Sequence, residues 1–199
     1  ADYVPTDMVM LSIPFDSTTY SEKKYLKREA AEALEKMFAK ASEKGLSLIG
    51  VSGYRSYERQ QAIYNHNLRS DRETLTSLYS AIPGCSEHQS GFAIDVSCKG
   101  IYCRLEEEFA ATAEGIWVAK NAHKFGYILR YPEDKSEITG YAYEPWHIRY
   151  VGKKLAKHLY KNNLTLEEYY GYVPSSAVTE EAHYGNAIDV EDSSHFIEQ

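Results

Sequence analysis

The stretch Ser86–Val96, SEHQSGFAIDV, places a histidine, two acids and two serines around a glycine, just ahead of an apolar run. As a polar turn entering a strand it is ordinary. As half of a metal site it dictates what must surround it. His88 and Asp95 are seven positions apart, and on one continuous strand an odd separation would put them on opposite faces. Gly91 lies between them, and a turn at a glycine can swing His88 back toward Asp95. An imidazole and a carboxylate make two thirds of a catalytic zinc site, which takes three protein ligands and keeps one position open for water.

The missing ligand should sit beside a base, and EPWHIRY (144–150) supplies both. His147 can bind a metal while Glu144, three residues earlier and stiffened by Pro145, faces the bound water. A metal lowers the pKa of that water toward ~7, so a carboxylate can take its proton during attack. SGYRSYERQ (52–60) adds a cation, Arg55, where a strand gives way to a helix. A guanidinium there can hold a carboxylate or a developing oxyanion. Gln60 could donate to a substrate carbonyl, with Gln61 the runner-up. Taken singly, His88 is a loop histidine, Asp95 a turn cap, Glu144 with His147 a surface pair, and Arg55 a salt-bridged arginine. Ser86 and Ser90 lie in no GxSxG elbow, and Cys85 is too near His88 in sequence to suggest a thiol–imidazole pair. HExxH is absent.

The 199 residues, 43% of them hydrophobic, suffice for one domain with a real core. The net charge of -7, with no long Lys/Arg run, argues against nucleic acid as a partner. No apolar run approaches the ~18 residues needed to span a bilayer. No signal peptide is recognisable, and the chain starts at Ala1 rather than Met, as a trimmed mature form would. Three cysteines exclude a disulfide scaffold, although a small Cys98–Cys103 loop disulfide is compatible with the spacing. The 18 tyrosines gather in 141–150 and 160–172 and suit peptide or glycan binding, or a tyrosine-rich core edge.

Along the chain, 1–19 reads as irregular and about 21–44 as a helix, with Leu26, Ala30, Ala33, Leu34, Met37 and Ala41 on one face and Gly45 as its stop. Strands are expected at 46–52, 91–97, 127–132 and 145–151, and helices at 56–68, capped by Ser56, and at 105–124, ended by Gly126. Helical pieces close the domain near Tyr170. The pattern predicts an α+β fold, a small antiparallel sheet flanked by helices, over residues 1–172. Residues 173–199 form an acidic tail or extension without an assigned role, and the echo HYGNAIDV (183–190) reads as coincidence, being one residue short and lacking a partner motif.

Ser86, His88, Gly91, Ala93 and Asp95 spell S-x-H-x-x-G-x-A-x-D, with S-G-Y-R-S before it and E-P-W-H after it. In that order the set closely resembles the zinc D-alanyl-D-alanine carboxypeptidases of the VanY type and their L,D-carboxypeptidase relatives, of the lysostaphin–D-Ala-D-Ala-peptidase–hedgehog fold. The likeness covers about residues 8–170 and departs at no metal position. It implies that His88, Asp95 and His147 bind one catalytic Zn²⁺ and that Glu144 is general base and then acid. It also implies that Arg55 steadies the oxyanion or the substrate carboxylate, and that Ser86 and Gln60 contact substrate. The activity implied is removal of the terminal D-alanine from peptidoglycan stem peptides or their precursors, outside the cytoplasm in the bacterial envelope, secreted or anchored through a segment not present here. The first expectation is the pentapeptide as a D,D-carboxypeptidase substrate. The alternative is an L,D-carboxypeptidase acting on the tetrapeptide after its diamino acid, with the pocket lined from 69–84 and 133–143 and the DKSE run (134–137) available to a charged side chain. An alternative of another class is a catalytically silent wall-binding module on the same fold.

Overall fold

The computed structural model describes residues 3–16, 21–68 and 81–172. The expected tail 173–199 and its HYGNAIDV echo lie outside them. Strand β1 (Met8–Met10) pairs with β2 (Tyr25–Lys27), which runs into helix α1 (Arg28–Ser42). Then come β3 (Leu48–Ser52), α2 (Tyr57–Leu68), a 3-10 turn (Glu87–Ser90) and β4 (Ala93–Cys98). Helix α3 (Ala113–Asn121), β5 (Tyr127–Leu129), α4 (Ser136–Thr139) and β6 (His147–Tyr150) follow. Helices α5 (Lys153–Asn162) and α6 (Leu166–Tyr170) end the described chain. The α+β class is as expected, with a four-stranded antiparallel sheet in the order β3-β4-β6-β5.

The sheet has two different faces, and β4 shows why. Its sequence AIDVSC alternates, so Ile94, Val96 and Cys98 fall on one face and Ala93, Asp95 and Ser97 on the other. All six are buried. The first set joins Ile148 of β6 in the main core, against Ala30, Leu34, Met37 and Ala41 of α1. The apolar face predicted for α1, including Ala33, is buried throughout. Tyr127 is buried completely, and its hydroxyl donates to the Ala30 carbonyl at 2.7 Å, tying sheet to helix. A smaller apolar cluster seats α5 on the sheet through Ile128, Ala156 and Leu159.

Two expectations need correction. The helix begins at Arg28, not near Ser21, because Tyr25–Lys27 pairs with β1 and the Lys27 N–H donates to the Gly91 carbonyl at 2.9 Å. Sheet hydrogen bonding here wins over helical periodicity. The 105–124 segment is a 3-10 turn (Glu107–Ala111) followed by α3, restarted by Thr112, whose hydroxyl accepts from the Gly115 N–H at 3.0 Å. Cys98 and Cys103 are free thiols, as is Cys85. The Ser56 cap is as expected, its hydroxyl accepting from the Arg59 N–H at 3.2 Å.

Gly91 closes the 3-10 turn in the left-handed region at φ 73°, and an added Cβ would lie 2.8 Å from Met8 Sδ. Gly91→Ala should therefore cost about 1–2 kcal/mol in backbone strain. Thermal unfolding should show a Tm lower by roughly 2–8 °C. An unchanged Tm would mean that the turn absorbs the side chain freely.

Candidate metal centre

In an antiparallel sheet, residues in register project to the same face with Cβ atoms about 4.5–5.5 Å apart. Asp95 and His147 are register partners across β4 and β6. That pairing joins two residues fifty-two positions apart in sequence. The left-handed turn at Gly91 then brings His88 back over the same face. One ligand atom from each of the three residues lies within 4.8 Å of the others, and all three residues are buried. Asp95 Oδ1 is 3.0 Å from His147 Nδ1, and Asp95 Oδ2 is 3.3 Å from His88 Nε2.

The donor set fits a divalent cation. His88 Nδ1 is 2.7 Å from the Gly53 carbonyl, an acceptor only, so Nδ1 carries the ring proton. Nε2 of the neutral ring is then a lone pair facing a carboxylate. Acceptors buried this closely repel one another unless a positive charge lies among them. A proton on His147 can fill that role. Burial opposes its charge, but the hydrogen bond to Asp95 and the Glu87 carboxylate nearby outweigh burial and push its pKa up to about 9. Burial likewise opposes ionisation of Asp95, yet the two rings hold its carboxyl well below the usual range. For His88 burial dominates and lowers the pKa, favouring the neutral ligand form.

Glu144 precedes β6 and is nearly buried, with Oε2 3.9 Å from His147 Nδ1. Burial raises its pKa to about 7, with His147 pulling down and Asp95 pushing up. Such a carboxyl is poised to exchange protons near neutrality. Arg55 follows β3 and lines the same cleft. Its Nη1 donates to Gln60 Oε1 at 2.8 Å and its Nη2 to Ser52 Oγ at 3.3 Å, while Nη2 is also 3.9 Å from Asp95 Oδ2. Its Nε is buried without a partner.

The cleft holds ≈ 550 Å³ and is lined by Arg55, Ser86, the three metal-ligand candidates, Glu144 and three aromatic residues, Tyr131, Tyr141 and Trp146. Gln60 is placed differently from expectation. It is 1% exposed and lines none of the cleft, because its amide donates to the Ala81 carbonyl at 2.6 Å and accepts from Arg55. It orients the arginine rather than facing a ligand. Of the loops expected to line the cleft, 69–80 lies outside the described residues, and Ala81 and Tyr141 do contribute. The DKSE run does not, its Lys135 being paired with Glu168 at 2.9 Å. A wall at Leu105, Glu106 and Glu107 takes part instead.

Sequence reasoning passed over Glu87, which also lines the cleft, and over Arg130 and Glu167, which join it in a largely buried charge network beside His147. Glu87 stood inside the motif, but nothing in its spacing separated it from a solvated acid. Tyr131 and Tyr141 stack at 4.5 Å, and Tyr131 lies 5.1 Å from the His147 ring. For Tyr141 the tyrosine-rich 141–150 segment was the visible signal.

The family model for VanY, D-alanyl-D-alanine carboxypeptidase, matches residues 23–153. The putative carboxypeptidase YodJ of Bacillus subtilis (strain 168) is 47% identical over 85% of the chain, which spans 62% of that relative's length. Among solved structures, the LdcB LD-carboxypeptidase superposes with TM-score 0.81 at 46% identity, covering 87% of this chain and 81% of that one. The vancomycin-resistance D,D-pentapeptidase VanY from a VanB-type cassette, solved with Zn(II), superposes with TM-score 0.66 at 32% identity, covering 84% and 93%.

Zinc must compete with the His147 proton, so its apparent affinity should rise up to tenfold per pH unit below about 9 and flatten above. Competition with a chromogenic chelator between pH 6.5 and 9.5 checks this, and His88→Ala should lose the binding. A flat profile would mean that no proton leaves His147.

Proposed function

The chain belongs to the VanY family of D-alanyl-D-alanine carboxypeptidases, and on that premise we propose that it removes the C-terminal D-alanine of peptidoglycan stem peptides, preferring the tetrapeptide. The sequence alone ranked the pentapeptide first. Two observations favour the tetrapeptide. The likeness to the LD-carboxypeptidase structure exceeds that to the VanY pentapeptidase in both identity and TM-score. The cleft also carries two exposed acids on one wall, Glu107 and Glu106, the latter paired with Arg104 at 3.0 Å. A diamino acid before the cut needs room and an acidic partner for its free amine, whereas a D-alanine methyl needs neither. The family match and the VanY structure support the pentapeptide as the second reading. Action on stem peptides of the assembled wall would lie outside the cytoplasm. No helix among the described residues is long and apolar enough to cross a membrane.

His88, Asp95 and His147 would hold the zinc, which when bound supplies Lewis acidity to the scissile carbonyl and acidifies water. The remaining work falls to this chain's side chains. Glu144 faces the cleft as a carboxyl that ionises near pH 7, so it takes the proton from the attacking water and returns it to the leaving nitrogen. The carbonyl carbon gains the water oxygen, the C–N bond breaks, and free D-alanine departs. The Arg55 guanidinium on the cleft wall steadies the terminal carboxylate or the developing oxyanion, and a fixed cation there favours removal of one terminal residue. Ser86, at the cleft wall, contacts the bound peptide.

Incubating the protein with tetrapeptide and pentapeptide separately, with and without a chelator, should give chelator-sensitive D-alanine release that is faster from the tetrapeptide. Faster release from the pentapeptide would return the first-ranked substrate. Zinc binding without release from either would favour a wall-binding module. Glu144→Gln should lower kcat by about 10²–10⁴-fold, as loss of a general base does, with KM little changed.

A further inference from the structure

On the side of His147 away from Asp95 lies a part-buried charge network, whose Glu87 also lines the cleft. Glu87 Oε1 accepts from Arg130 Nε at 2.7 Å and is ion-paired with Arg149 Nη1 at 3.1 Å. Its other oxygen, Oε2, has no hydrogen-bond partner and lies 3.5 Å from His147 Nε2, which has none either. The two unpartnered atoms face each other. Arg130 uses its remaining nitrogens on Glu167, Nη1 donating to Oε2 at 3.0 Å and Nη2 to Oε1. Glu167 belongs to α6, whose start is set by a capping box between Thr165 and Glu168. Both Arg130 and Glu167 are about nine-tenths buried.

We propose that Glu87 is a positioning residue for His147, and that α6 reaches the metal centre through the chain Glu167–Arg130–Glu87. This rests on the metal reading above. For Nδ1 to serve as ligand, Nε2 must keep the ring proton, and the facing atom able to accept it is Glu87 Oε2. A histidine ligand held in this way is fixed in tautomer and ring orientation. Glu87 can stay charged while buried because two arginines balance it, and Arg130 is held in place by Glu167. Glu167 lies beyond residue 153, where the family match ends. Helix α6 is therefore a working part of the site.

The test uses the full chain and zinc alone, with affinity read by chelator competition at one pH. Glu87→Ala should weaken zinc binding by roughly 10–100-fold, the usual cost of losing such a partner. Glu167→Ala should weaken it in the same direction, and Glu167→Gln, which keeps an acceptor for Arg130, should fall between that variant and wild type. The double variant Glu87→Ala/Glu167→Ala should lose no more affinity than Glu87→Ala alone, since Glu167 acts through Glu87. Equal zinc affinity in wild type and in the Glu87→Ala and Glu167→Ala variants, or additive losses in the double variant, would overturn the proposal. Melting of the metal-free variants separates a purely structural role, which would lower Tm without changing the zinc affinity of folded protein. If Glu167→Ala does not fold, long-range ¹H–¹⁵N spectra of the zinc-loaded wild type decide: His147 should carry its proton on Nε2, and a proton on Nδ1 would sink the idea. Failure of the wild type to bind zinc would instead remove the metal reading itself.

Discussion

Everything at this centre depends on the register of β4 against β6. With Asp95 opposite His147, a carboxylate and an imidazole meet on one face, and Ile94 with Ile148 meets on the other. A slip of one residue would turn the acids and imidazoles into the apolar core and the isoleucines into the cleft. The hydrophobic effect thus holds the catalytic face in place by burying its reverse side against α1. The same alternation that makes AIDVSC a core strand makes it a ligand-bearing one.

Burying several titratable groups on one sheet face creates a charge problem, and the surroundings answer it group by group. The Gly53 carbonyl selects the tautomer of His88. Asp95 is held ionised by the rings beside it, while Glu144, set farther back, is lifted by burial to about 7. Two carboxyls lining one cleft are therefore shifted in opposite directions, Asp95 down and Glu144 up. Arg55 is held by Gln60 and Ser52, which accept from its Nη1 and Nη2. Preorganisation of this kind lets a site act on charge as it develops without first rearranging.

The helices beyond β6 fit the same logic. Helix α5 covers the edge of the sheet through Ala156 and Leu159, and α6 turns back so that Glu167 and Glu168 meet Arg130 and Lys135. Isolated surface ion pairs contribute little to stability, but a buried arginine with all its donor nitrogens engaged defines one arrangement rather than many. Order at the metal face is in this way shared with the last helix of the described chain.

The sequence by itself determined the fold class, the apolar face of α1, most of the strands, and the residues that would converge: His88, Asp95, Glu144, His147 and Arg55. It could do so because those signals are local, written in periodicity, in a glycine where a turn is needed and in short motifs of fixed spacing. It misjudged Tyr25–Lys27 because pairing with β1 is a long-range event that helical periodicity cannot register. It placed Gln60 against substrate because side-chain direction on α2 depends on what Arg55 and Ala81 offer nearby. Glu87, Arg130 and Glu167 were invisible for the same reason. Their meaning lies in which charges face which once the sheet has closed, and only the tertiary structure brings residues 87, 130, 147 and 167 into one buried network.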